Sequence, residues 1–182
     1  MELTESDKKA LLEIAKKAIA AKAGSREMPK PATDLPVLKE KRGAFVTLKK
    51  RGHLRGCIGY IKAVKPLGET VQEMAVAAAF HDPRFPSLKS EEIKDLSFEI
   101  SVLSPLSRIS DIGEIEVGRH GLYIVRGHNS GLLLPQVALE YGWDRETFLQ
   151  ETCRKAGLPS GSWKDRGTEI YVFSADYFSD KE

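Results

Sequence analysis

The stretch Gly43-Ala44-Phe45-Val46-Thr47-Leu48-Lys49-Lys50-Arg51-Gly52-His53-Leu54-Arg55-Gly56-Cys57-Ile58-Gly59-Tyr60-Ile61 carries the pattern on which the fold turns. Its hydrophobicity runs with period two, and β-branched and aromatic residues lie on both sides of Lys50-Arg51-Gly52, where a hairpin can turn. Two antiparallel strands follow from this. Side chains two apart share a strand face, so Arg55 and Cys57 are expected side by side, with Leu54, Gly56 and Ile58 on the other face.

Working outward, Thr4 is placed to cap a helix over residues 5–23, whose apolar positions Leu11, Leu12, Ala15, Ala18 and Ile19 recur at helical spacing ahead of Gly24. Pro29, Pro31 and Pro36 predict an extended run across 25–42, pinned by Leu35, Val37 and Leu38. On the other side of the hairpin, Pro66 opens a second helix with the apolar stripe Leu67, Val71, Met74, Ala75, Ala78 and Ala79. Asp82-Pro83 stops it, because a residue before proline avoids the helical region. Leu96, Phe98, Ile100 and Val102 alternate with polar residues as a strand that ends at Pro105.

Strands are also expected at 121–126 and 131–134, a short helix from Pro135, a helix from Asp144 to Ala156 and a closing strand at 168–173. Helices and strands mix without a regular βαβ alternation. The fold class is therefore α+β, with mixed or antiparallel sheets and packed helices in strand-rich lobes before and after about residue 105.

The 182 residues suit a single domain, with 41% hydrophobic and 30% charged residues and a net charge of +2. That total argues neither for nucleic-acid binding nor for an acidic surface. Cys57 and Cys153 are too few for a disulfide framework, and no paired Cys/His spacing suggests a zinc site. The N-terminal residues lack the basic start and apolar stretch of a signal peptide, and the longest apolar run, 74–80, is too short to span a bilayer. A cytoplasmic chain without membrane association is the expectation.

Chemistry concentrates in three places. A guanidinium beside a thiol favours the thiolate, so Arg55 and Cys57 read as an activated pair, and Gly56 and Gly59 would let a ligand or another backbone approach closely. Against this stands the tendency of free cysteine to be buried and of strand glycines to mark tight packing. His81, Asp82 and Arg84 combine a proton carrier, a carboxylate and a cation at a helix end. Alternatively they form a helix stop, in which Asp82 and Arg84 pair locally and His81 meets solvent. His120, between glycines ahead of a strand, is a third candidate, as is a plain turn. His53 and His128 fall at hairpin tips, Cys153 on the apolar face of its helix, and Trp163 in a loop that could line a cleft.

Phe45-Val46-Thr47-Leu48, Leu54-Arg55-Gly56-Cys57-Ile58-Gly59, Asp82-Pro83-Arg84-Phe85, His120-Gly121-Leu122, Leu133-Leu134-Pro135-Gln136-Val137 and Lys155-Ala156-Gly157-Leu158-Pro159 occur in one order. Together they resemble the AMMECR-one (AMME chromosomal region) domain family, over roughly residues 8–178. The resemblance implies a larger and a smaller lobe with a cleft between them near the Leu-Arg-Gly-Cys-Ile-Gly strand, and no established reaction. It implies a shared pathway with a Memo-type protein and a radical S-adenosylmethionine protein, and by fold analogy an action on nucleic acid bases.

Three functions compete. In a cysteine-dependent enzyme, Cys57 is the nucleophile, Arg55 its stabiliser and His120 or His81 the proton carrier, with Arg84, Asp82, Gly56, Gly59 and Gln136 binding the ligand. No metal is assigned, and the cofactor is unknown. In a module for RNA, a nucleotide or a protein, Arg55, Arg84, Arg119 and Lys49-Lys50-Arg51 form the positive surface. In an adaptor, Cys57 is packing only.

Overall fold

The computed structural model describes residues 3–31 and 34–181. Two compact units divide the chain. The first runs up to Leu103 and resumes at Asp176, and the second is Ser104–Ala175.

In the first unit, β1 (Ala44–Lys50) and β2 (His53–Tyr60) form the central hairpin. Its turn places Arg51 at φ 51° and Gly52 at φ 82°, the two left-handed residues of a turn whose twist matches that of the strands it joins. β3 (Leu96–Leu103) pairs antiparallel with the other side of β1, and β8 (Ala175–Ser179) completes the sheet order β2-β1-β3-β8. β2 is therefore an edge strand.

Alternation dictates which face is covered. Ala44, Val46 and Leu48 from β1 and Leu96, Phe98, Ile100 and Val102 from β3 are buried in one cluster with α1 (Glu5–Ala23) and α2 (Leu67–Phe80). Each fully buried aliphatic side chain there contributes about 1.5–3 kcal/mol. Thr4 caps α1, its hydroxyl accepting the Asp7 N–H while the Asp7 carboxylate accepts the Thr4 N–H at 2.9 Å. Ser25, at φ 51°, takes the left-handed position beyond the helix, while Gly24 stays at φ −88°. α2 stops at Phe80, ahead of Asp82-Pro83. The run 25–42 is not extended throughout. Pro36–Lys39 makes a 3-10 turn that buries Val37 and Leu38, and residues 32 and 33 lie outside the described residues.

The second unit has the sheet β4-β7-β5-β6, built from β4 (Ser107–Ile109), β7 (Glu169–Phe173), β5 (Gly121–Arg126) and β6 (Asn129–Leu133). Ile124, Leu122, Phe148, Leu149 and Cys153 share its core, with α3 (Pro135–Glu140) and α4 (Arg145–Lys155) around it. The strand at 169–173 is not the closing one. β8 follows it and returns to the first sheet, with Phe178 as its buried anchor.

Candidate functional site

The site depends on one irregularity. From the Arg51-Gly52 turn, Lys50 pairs with His53 and Lys49 with Leu54, but Leu48 pairs with Gly56 and Thr47 with Cys57, so Arg55 is an extra residue in β2. Without this bulge Thr47 would oppose Gly56. With it, Thr47 faces Cys57, and Thr47 Oγ1 donates to Cys57 Sγ at 3.1 Å.

The bulge also corrects the expected pairing of Arg55 with Cys57. Arg55 is 8% exposed, and its Nε and Nη2 donate to Glu92 at 3.2 and 3.0 Å. Glu92 also takes Lys50 Nζ at 2.8 Å and the Lys89 N–H at 3.0 Å. Lys50 is one residue beyond Lys49, opposite the buried Leu96, so this cluster belongs to the helix-covered side of the sheet. The Cys57 sulfur, beside Thr47, is on the other side. Two-residue spacing fails here because an inserted residue reverses the alternation behind it. Arg55, followed by Lys50 and the Lys89 amide, holds Glu92 down to about 2. One Arg55 donor, Nη1, is buried without an acceptor.

Both glycines have close neighbours, and at Gly56 the close approach that a strand glycine allows is made by another backbone. A Cβ on Gly56 would sit 2.0 Å from the Ala78 carbonyl oxygen, so α2 closes directly onto the strand there. A Cβ on Gly59 would sit 2.3 Å from the Phe45 ring, which fills the space above it.

Asp82 and Arg84 do meet Cys57, through its backbone. Cys57 N–H donates to Asp82 Oδ2 at 2.9 Å, and Arg84 Nη2 donates to the Cys57 carbonyl at 3.3 Å. Arg84 also donates to Asp82 from Nη2 at 2.7 Å and from Nε at 3.0 Å. The carboxylate and guanidinium occupy the free edge of β2 as a neighbouring strand would. An outward amide at Cys57 makes Thr47/Cys57 a non-hydrogen-bonded pair, the kind whose side chains approach most closely. The Arg84 fork holds Asp82 well below the usual carboxylate range against the cost of burial, with the Cys57 N–H adding to it. His81 is exposed and makes none of these hydrogen bonds.

On the face turned away from α1 and α2, register sets Cys57, Thr47 and Glu99 in one row across three strands. Glu99 holds Lys49 Nζ at 2.5 Å. The row joins a half-buried thiol, a hydroxyl and a carboxylate. Thr47, Glu99 and Glu92 went unnoticed in the sequence, and only counting the register through the bulge finds the first two.

His120 and Gln136 belong to the second unit. His120 Nδ1 accepts the Glu116 N–H at 3.2 Å, leaving Nε2 as its free nitrogen, and Gln136 is in the first turn of α3. Cys153 is fully buried, and burial pushes its thiol up. Among the described residues no group of three or more His, Cys, Asp or Glu is placed to hold a metal ion, and no helix is long and apolar enough to cross a membrane.

The two antiparallel sheets with their helices define an α+β protein. Its relatives agree. The AMMECR1 family model matches residues 12–178, and the chain belongs to that family. It is 47% identical to a protein of Methanothermobacter thermautotrophicus, over 97% of this chain and 95% of the relative. It is 44% identical to Protein MK0488 of Methanopyrus kandleri, over 99% and 91%. The crystal structure of the uncharacterized protein PH0010 from Pyrococcus horikoshii superposes with a TM-score of 0.88 at 43% identity, covering 94% of this chain and 90% of that one.

Proposed function

We propose that this chain is a cytoplasmic enzyme, or the partner domain of one, with a small-ligand site centred on Cys57 on the helix-free face of the first sheet. Cys57 is the nucleophile or covalent anchor, Thr47 orients its sulfur, and the half-exposed guanidinium of Arg84 brings a positive charge to the Cys57 carbonyl. His120 remains the proposed proton carrier and Gln136 a proposed ligand contact. The pathway is the one the family resemblance implies, shared with Memo-type and radical S-adenosylmethionine proteins.

One observation supports this reading above the others. The Cys57 sulfur is half-buried and hydrogen-bonded by a hydroxyl, whereas the second thiol, Cys153, is sealed in a core. The RNA or nucleotide reading draws less support. Lys49, Lys50, Arg51, Arg55, Arg84 and Arg119 each hold a carboxylate, from Glu99, Glu92, Asp95, Glu92, Asp82 and Glu116 respectively. A phosphate would have to displace these partners.

Replacing Cys57 with serine in a cell that depends on this gene, with folding checked by circular dichroism, tests the proposal. Loss of complementation by a folded variant is expected. A folded Cys57→Ser chain that complements fully would return the role to a non-catalytic adaptor.

A further inference from the structure

The edge of β2 is closed at one residue and open two residues further on. At Cys57 the outward N–H and C=O are taken by Asp82 and Arg84. Outward positions recur every second residue, so Gly59, opposite Phe45, turns its own N–H and C=O to the same edge. The neighbouring strand gives the same phase independently. Leu103 N–H donates to the Gly43 carbonyl at 2.9 Å, which points Gly43, and with it Phe45 and Thr47, toward β3 and away from β2. No hydrogen bond from the described residues reaches the outward N–H or C=O of Gly59, which is only half-buried. A free donor and acceptor on one edge residue are a template for an added strand.

We propose that this edge binds the C-terminal end of an extended peptide, antiparallel to β2, with its penultimate residue paired to Gly59. Three features select that occupant. The Asp82/Arg84 cap stands where a strand passing Gly59 would continue, so the occupant ends there. This excludes β2 of a second copy, whose Ile61 would meet the cap once the two Gly59 residues were paired. An antiparallel chain reaches the cap with its C-terminus, a parallel one with its N-terminus. The exposed member of the cap is the cation, since the Arg84 side chain is 55% exposed and that of Asp82 1%. Arg84 bonds Asp82 and Cys57 through Nε and Nη2, so Nη1 is left for a terminal carboxylate, whereas a terminal ammonium would face a like charge. The Phe45 ring lies over Gly59 and gives the penultimate side chain an apolar contact. Binding at this edge requires no chemistry at Cys57, so it is independent of the proposed function.

The probe is the peptide acetyl-Thr-Val-Leu-Thr with a free carboxylate, titrated to about 10 mM into the folded chain and followed by amide nitrogen–proton shifts. Saturable shifts are expected at Gly59, Tyr60 and the Arg84 side chain, with His53 at the far end of β2 unmoved. The C-terminal amide of the same peptide should bind about tenfold more weakly. So should the peptide N-methylated at leucine, which has lost the N–H that Gly59 accepts. Arg84→Gln should weaken the free acid by a similar factor and leave the amide unchanged. The acid-against-amide comparison in the unsubstituted chain gives the same reading if Arg84→Gln fails to fold. Absence of a saturable shift at Gly59 overturns the proposal, as does N-methylated peptide binding as tightly as its parent. Equal binding of acid and amide overturns the C-terminal assignment.

Discussion

The carboxylate of Asp82 takes the backbone N–H of Cys57 at 2.9 Å, on the open edge of β2. Asp82 is 3% exposed, so this bond and its ion pair with Arg84 are shielded from water, whereas the Arg84 side chain is 55% exposed. Removing the two partners therefore has unequal consequences. Asp82→Ala strands a buried N–H and a guanidinium and is expected to cost about 2–3 kcal/mol in urea unfolding. Arg84→Gln should cost about 1 kcal/mol or less. Equal losses for the two variants would contradict the edge-capping role of the carboxylate.

Acid should attack the Glu92 cluster in a defined window. Folding lowers Glu92 from 4.5 to about 2, so its contribution is fully present above the unfolded value and is lost as pH falls from 4.5 toward 2. The contribution is on the order of 2–3 kcal/mol. Unfolding free energy of the parent chain should fall across that window, and Glu92→Gln should flatten the curve there. The Asp82 carboxylate, also lowered, keeps part of the slope in the variant. An unchanged slope in Glu92→Gln is the contrary outcome.

Close approach of α2 makes Gly56 intolerant. Gly56→Ala puts a methyl 2.0 Å from a carbonyl oxygen that only a shift of the helix can move. A loss of about 3 kcal/mol is expected, at the upper end of overpacking costs. Gly52→Ala at the hairpin tip has open space but φ 82°, and should cost about 1 kcal/mol from backbone strain alone. Thermal unfolding of the two variants ranks them, and the reverse order would contradict the helix contact.

Arg55 and Arg84 separate structure from thiol chemistry. Arg55→Lys loses the fork on Glu92 and should destabilise the unit, yet leave the Cys57 alkylation rate within about twofold of the parent when the chain is folded. Thr47→Val removes the hydroxyl at the sulfur and should change that rate by more. A large kinetic effect from Arg55→Lys alone would restore the pairing that alternation predicts.

Much of this architecture was legible before any coordinates. Helix spacing and caps located α1, α2 and α4, and the period-two pattern located β1, β3 and β5, because each buries one regular face. β4 and β8 escaped because each offers a single buried side chain, Ile109 or Phe178, from which no period can show. Along the Leu-Arg-Gly-Cys-Ile-Gly segment, the expected pairing of Arg55 with Cys57 does not hold. Alternation knows nothing of an inserted residue, so Arg55 was assigned to the face of Cys57, and Thr47, ten positions away, was not seen. The local Asp82/Arg84 pair was visible as an alternative, but its use as a strand-edge cap needed the sheet order.

The open thiol is tested most directly by timed iodoacetamide labelling of the folded chain, followed by peptide mass spectrometry of both cysteines. Cys57 should label at least about a hundredfold faster than Cys153, whose labelling waits for unfolding of its core. Equal protection of the two thiols until the chain unfolds would contradict the account.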